Sequence, residues 1–145
     1  MAVDGIIKQL NTLSPGHLPG LLGVEIVAVE PGAMVSRLAV RPDLMAPNGY
    51  LHAGTVTTLA DTTSGYGTMA NLPVGGIGFT TIELKCNFLG SVREGMIHCR
   101  ATAVHLGRTT QVWDARVYLE ETDKTLALFR CTQMVLYPRP GNSKQ

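Results

Sequence analysis

Apolar positions recur at helical spacing in two stretches of this chain and at every second residue through most of the rest. From Asp4 to Leu13, the residues Ile6, Ile7, Leu10 and Leu13 step by three and four, which predicts an amphipathic helix ended by Ser14-Pro15-Gly16. A short turn around Pro19 to Leu22 leads into a strand over 24–30, and Pro31-Gly32 turns it back into a partner strand over 34–40. Residues 41–49 form a loop holding two prolines. A long helix is expected over 53–70, ended by Leu72-Pro73-Val74-Gly75-Gly76. The period then becomes two and stays there. Strands are expected over 78–88, 95–106, 109–121 and 126–137, with turns at 90–94, 107–108 and 122–124.

Long strands joined by short turns make an antiparallel sheet, and six of them curl strongly. One long helix must fill the concave side, giving an α+β architecture. Ala53, Gly54, Ala60, Gly65, Gly67 and Ala70 keep that helix slim. Glycine inside a helix costs about 1 kcal/mol against alanine, which close packing of helix on sheet would justify. There is no internal repeat, and the expected organisation is one domain over 1–137 with a polar tail over 138–145.

Composition narrows the function classes. A chain of 145 residues, nearly half of them apolar, can bury a core of its own. A net charge of +1 without any Lys/Arg run gives no case for nucleic acid. No apolar stretch reaches the roughly 20 residues of a membrane span, and the first residues do not read as a signal peptide. Cys86, Cys99 and Cys131 are odd in number and set among apolar residues, which favours free thiols in a reducing cytoplasm over a disulfide. No paired Cys or His spacing suggests a metal.

The chemistry concentrates in His52-Ala53-Gly54 and in Leu59-Ala60-Asp61-Thr62. A lone carboxylate on a small, apolar helix is costly unless it is bonded or used. Either Asp61 bonds to Thr57, Thr58 or a backbone amide, or it does chemistry. Pro47-Asn48-Gly49 stops the preceding chain, and the helix begins with no Ser, Thr, Asp or Asn immediately before it. Its first amide hydrogens are therefore available for something else.

Asn48-Gly49-Tyr50-Leu51-His52-Ala53-Gly54 followed by Leu59-Ala60-Asp61-Thr62 resembles the signature of the PaaI-type acyl-CoA thioesterases, a 4-hydroxybenzoyl-CoA thioesterase-like family of hotdog fold. That signature reads His-Gly-Gly, with an acidic residue eight positions beyond the first glycine. Two departures stand out: Ala53 replaces the first glycine, and Ala46 occupies the place of an asparagine six residues before the histidine. The resemblance implies thioester hydrolysis without a cofactor, coenzyme A entering only as part of the substrate. Asp61 is then the nucleophile or general base, and the Ala53 amide at the helix start polarises the carbonyl. Because a backbone donor needs only a small side chain, alanine is a mild departure, and Gly54 leaves the substrate room. His52 would orient the thioester or bond nearby backbone.

At about 1.5 Å per residue, Ala53 and Asp61 lie roughly 12 Å apart on one helix, so they cannot touch one carbonyl. Two antiparallel copies would bring them together, which predicts a homodimer with shared sites. The family likeness implies the same, with dimers often paired into tetramers. It also implies that Thr81 helps hold the attacking water, and strand alternation puts Thr81 and Glu83 on one face. Arg108 and Thr109, in the Gly107-Arg108-Thr109 turn, suit the phosphates of coenzyme A, with Arg93 and Arg139 as weaker choices. Asn48, Gly49 and Tyr66 complete the substrate-binding set, and Leu59, Tyr66, Met69 and the first helix are expected along an acyl tunnel. The alternatives are an acyl-CoA hydratase or dehydratase on the same fold, and a non-catalytic acyl-CoA-binding protein.

Overall fold

A computed structural model describes residues 2–141. Helices α1 (Val3–Asn11) and α2 (Leu18–Leu22) precede strands β1 (Glu25–Glu30) and β2 (Ala33–Ala39). A 3-10 turn, Pro42–Leu44, leads towards the long helix α3 (Ala53–Ala70). Four strands follow: β3 (Gly78–Phe88), β4 (Met96–Leu106), β5 (Thr110–Leu119) and β6 (Thr125–Leu136). The segment expected as a simple turn at 19–22 is the short helix α2, with Pro19 in its first turn and Gly23 closing it at φ 83°. Of the expected tail, Pro138 to Gly141 are exposed or nearly so beyond β6, and residues 142–145 lie outside the described residues.

The strands form one antiparallel sheet in the order β1-β2-β4-β5-β6-β3. Long β3 therefore does not pair with β4, its neighbour in sequence. It lies at the far edge beside β6, and the segment expected as a turn at 90–94 is part of a crossing connection. Leu89 begins that crossing by donating its amide to Leu126 O at 2.8 Å.

One expectation about side-chain direction is overturned. Thr81 pairs with Gln133, and Glu83 with the very next residue, Thr132, so Ile82 is the extra residue of a β-bulge. Directly opposed residues share a face, so Thr81 lies on the side of buried Gln133, and Glu83 lies on the opposite side with Thr132. Beyond the bulge, Leu84, Cys86 and Phe88 are registered with buried Cys131, Phe129 and Ala127 on the concave side.

The concave side packs on α3. Leu59, Ala60, Ile97, Cys99, Trp113, Val117 and Ala127 are sealed from solvent there. The helical glycines sit where the sheet comes closest. A Cβ on Gly67 would meet the Trp113 ring at 2.8 Å, and one on Gly65 would meet Phe79 at 3.0 Å. On the far flank of α3, Leu10 of α1 packs with Ile26 and Met34, and Tyr66 joins this cluster. The convex face carries exposed ion pairs such as Arg37–Glu25, Arg100–Glu30 and Arg130–Asp114, which contribute little to stability. All three cysteines are free thiols, Cys99 and Cys131 buried and Cys86 partly so. Among the described residues, no helix is long and apolar enough to cross a membrane.

Candidate active site

Three hydrogen bonds fix the start of α3. Leu44 O accepts both the His52 amide at 3.1 Å and the Thr55 hydroxyl at 2.9 Å, and Leu51 N–H donates to Val92 O at 2.9 Å. The helix is capped after all, but by a residue outside the usual capping set. His52 Nδ1 accepts the Gly54 amide at 2.7 Å, and His52 O accepts the amide of Thr55 at 3.0 Å. This corrects the expectation of several free amides: Gly54 N–H is taken. Among the described residues, Ala53 N–H alone in this first turn has no acceptor. The cap thus leaves one exposed donor at the positive end of an 18-residue helix.

Asp61 sits halfway along α3 on its less buried flank. The two threonines one turn back do not bond it. Thr57 Oγ1 donates to Ala53 O at 2.9 Å, and Thr58 Oγ1 to Gly54 O at 2.8 Å. Asp61 Oδ1 is shielded from solvent without any hydrogen-bond partner. Burial, with no cation opposing it, raises the Asp61 carboxyl above the ordinary carboxylate range. Nearby, the Cys131 thiol is pushed up to about 12, by burial first and then by the negative charge of Asp61.

The sheet supplies the other wall. Thr57 lies against Cys86 and Gly65 against Phe79, so α3 runs antiparallel to β3. Between those contacts Asp61 comes within charge range of Cys131 on β6, and the next inward residue of that strand is Gln133, whose ladder partner on β3 is Thr81. Thr81 Oγ1 donates to Gln133 Oε1 at 2.7 Å. Gln133 was not anticipated. It is wholly buried on β6, and its Nε2 has no acceptor. Its signal was present in the sequence, as a polar residue at an inward position of an otherwise apolar alternation.

The remaining expected residues are dispersed. Asn48 spends its Oδ1 on the Tyr50 amide at 3.1 Å, forming the turn in which Gly49 adopts φ 85°. Arg93 stacks on the Tyr50 ring at 4.3 Å. Arg108 and Thr109 are exposed at the β4–β5 hairpin, held there because Arg108 O accepts the Tyr137 hydroxyl and Thr109 O the Val135 amide. Tyr66 bonds Ser14 through its hydroxyl at 3.0 Å and faces α1, away from Asp61. Leu59 is sealed in the core and cannot line a tunnel, whereas Met69 is exposed. A cleft of about 820 Å³ bordered by Asn11, Ser14, His17, Leu18, Leu21 and Val24 contains none of the α3 residues. Among the described residues, no group of three His, Cys, Asp or Glu side chains could hold a metal ion.

The family model of the Thioesterase superfamily matches residues 48–126, beginning at the Asn48 turn. The chain is 37% identical over 111 residues to a 1,4-dihydroxy-2-naphthoyl-CoA hydrolase of Listeria monocytogenes, covering 77% of this chain and 89% of that one. A crystallised thioesterase of Haemophilus influenzae superposes with a TM-score of 0.85 at 30% identity, over 90% of each chain. The E. coli PaaI protein of the phenylacetic acid degradation operon shares the fold, with a TM-score of 0.77 at 22% identity over 93% of this chain and 96% of that one. The lone helix-start amide and the partnerless carboxylate thus stand in a matched segment that covers more than half of the molecule. By that match the chain belongs to the thioesterase superfamily, as a hydrolase of thioesters with the hotdog fold.

Proposed function

We propose that this protein is an acyl-CoA thioesterase that works as a homodimer, each site taking Asp61 from one subunit and the Ala53 amide from the other. The observation that carries the reading is Asp61 itself, a half-buried carboxylate with no partner for Oδ1 on the open side of α3. A group left so costly within the fold is accounted for by use. As general base, Asp61 takes a proton from water while the water oxygen bonds to the thioester carbon. The carbonyl oxygen gains charge and is met by Ala53 N–H. Collapse then breaks the C–S bond, and the departing thiolate takes the proton from Asp61, leaving a free acid and a thiol. Direct attack by the carboxylate is the alternative, and both routes use the same two groups.

The dimer is supported by the edge of the sheet. Ile82, Leu84 and Phe88 on edge strand β3 are about half exposed, an apolar edge that a second copy would cover. Pairing of such dimers into a tetramer fits the same family reading. Coenzyme A is the carrier that fits best, since a relative 37% identical is named for a CoA ester and Arg108 offers an exposed guanidinium to phosphate. Thr81 holds the water beside Asp61. Asn48 and Gly49 shape the loop before the Ala53 amide, and His52 keeps that amide the only free one by capping Gly54.

The test is thiol release from a panel of short, medium, long and aromatic acyl-CoA esters, followed with a thiol reagent. The wild-type chain releases thiol, and Asp61→Asn loses at least about a hundredfold in kcat. Near-normal turnover by that variant removes the assignment.

A further inference from the structure

Thr81 and Gln133 face one another across the β3–β6 ladder, and their hydrogen bond has a direction. The Thr81 hydroxyl donates to Gln133 Oε1 at 2.7 Å. A hydroxyl has one hydrogen and two lone pairs, so with that hydrogen committed Thr81 can only accept from anything else. A water at Thr81 must then donate to it. Its other hydrogen goes to Asp61, whose Oδ1 is free. With both hydrogens engaged, the water presents a lone pair to a third group, the thioester carbon. An unconstrained Thr81 hydroxyl could turn its hydrogen towards the water or Asp61 and occupy the lone pair that the reaction needs.

The neighbouring strand shows what a purely structural glutamine does in this row. Gln111, registered beside Gln133 on β5, uses both ends of its amide. Its Nε2 donates to Asn71 O at 2.8 Å and its Oε1 accepts Trp113 Nε1–H at 2.9 Å, tying sheet to the end of α3. Gln133 is just as buried, yet its side chain makes one bond only, to Thr81, and its Nε2 has no acceptor. An apolar side chain of similar length would pack there without leaving a buried donor unpaired. What the amide adds over methionine is one bond, to the Thr81 hydroxyl, at the cost of a buried donor left unpaired.

We propose that Gln133 is a positioning residue: by accepting the Thr81 hydroxyl hydrogen, it holds Thr81 as an acceptor for the water that Asp61 activates. This rests on the roles given above to Asp61 and Thr81. The titratable group that feels the charge of Asp61 is the Cys131 thiol on β6, which lies beside the Ser64 hydroxyl, and among the described residues no charged side chain shifts Asp61. Glu83, the nearest carboxylate along β3, lies on the opposite face of the sheet.

The experiment is acyl-CoA hydrolysis by the full chain across pH. Gln133→Met is expected to lower kcat about tenfold or more, with KM within about twofold. Adding Thr81→Val to it costs no more than the worse single change, because both remove one interaction. Gln133→Glu keeps an acceptor, so its kcat recovers at alkaline pH. The new carboxylate near Asp61 moves the acid limb of the rate profile to higher pH by repulsion alone, so the readout that a packing role would not move is the recovery of kcat on the alkaline plateau, where Gln133→Met stays low. Wild-type kcat in Gln133→Met, additive losses in the double variant, or kcat in Gln133→Glu that stays as low on the alkaline plateau as in Gln133→Met overturns the proposal. Should Gln133→Met not fold, Gln133→Glu decides alone: near wild-type kcat on its alkaline plateau supports the proposal, and kcat that does not recover there overturns it. Full activity in Asp61→Asn would instead remove the Asp61 reading on which the proposal rests, so the two failures are told apart.

Discussion

A carboxylate that is desolvated and faces no cation weakens the fold whenever it is charged, and Asp61 is in that position. Its folded-state pKa is raised above the ordinary 3.8, so folding favours the protonated form. Stability is therefore greatest below about 3.8 and declines as pH rises through the raised folded value. The sign is opposite to that of a salt-bridged aspartate. Asp61→Asn should melt higher than wild type at pH 7, and the gap should close as pH falls below about 4. Equal melting temperatures at both ends would mean that the carboxylate is not strained by burial. Activity needs the charged form, so the acid limb of kcat should lie above the ordinary carboxylate range. Ala53 allows a cleaner deletion. Proline at the first helical position loses only an amide hydrogen that has no acceptor here, and His52 before it is already extended at φ −65°, ψ 135°. Ala53→Pro should therefore keep or raise the melting temperature while lowering kcat by about 10²–10³. Ala53→Gly, which keeps the N–H, should leave kcat nearly unchanged. A fully active proline variant would show that the amide is not the oxyanion donor.

At the scale of elements, packing outweighs intrinsic preference. Helix propensity alone favours Gly67→Ala by about 1 kcal/mol. A Cβ there would sit 2.8 Å from two atoms of the Trp113 indole, which is fully buried and anchored through Nε1 to Gln111, so the ring cannot swing aside. Overpacking of that kind costs about 1–3 kcal/mol, and the variant should be destabilised in urea unfolding despite its better helix former. An unchanged or raised midpoint would show that helix and sheet do not meet as tightly as these distances require. The same tight contact explains why α3 was legible from the sequence: its glycines, with Pro47-Asn48-Gly49 before it and Pro73 to Gly76 after it, bound the helix at Ala53 and Ala70. Other features leave weaker traces. A β-bulge adds one residue without any mark in composition, so Ile82 silently reversed the face assigned to Glu83. Strand order is not written in periodicity, and the placement of β3 at the edge needed the fold itself. His52 was legible as a residue near the site but not as a cap, because histidine is outside the usual capping set. Gln133 was legible in principle, as the polar member of the inward row Ala127, Phe129, Cys131, Gln133, Val135.

The arrangement of the whole molecule follows from a length. Eight residues of helix put the Ala53 amide and the Asp61 carboxylate about 12 Å apart in one chain, several times the reach of a hydrogen bond. A thioester carbonyl cannot touch both within one subunit. If two α3 helices lie antiparallel about a two-fold axis, the amide of each meets the carboxylate of the other, and the apolar edge of β3 is covered in the same step. This makes a prediction about mixtures that no single-chain site could satisfy. Take Asp61→Asn and Ala53→Pro, each inactive alone, and let their subunits exchange freely. About half of the dimers are then mixed. In a mixed dimer one site receives both altered groups, and the other pairs the intact Asp61 of the proline chain with the intact Ala53 amide of the asparagine chain. Half of the sites in half of the dimers gives about a quarter of the wild-type rate per subunit, with the wild-type KM, measured by thiol release after co-expression or slow refolding together. If each chain instead held a complete site, no mixture would contain an intact one, and activity would stay at the level of the separate variants.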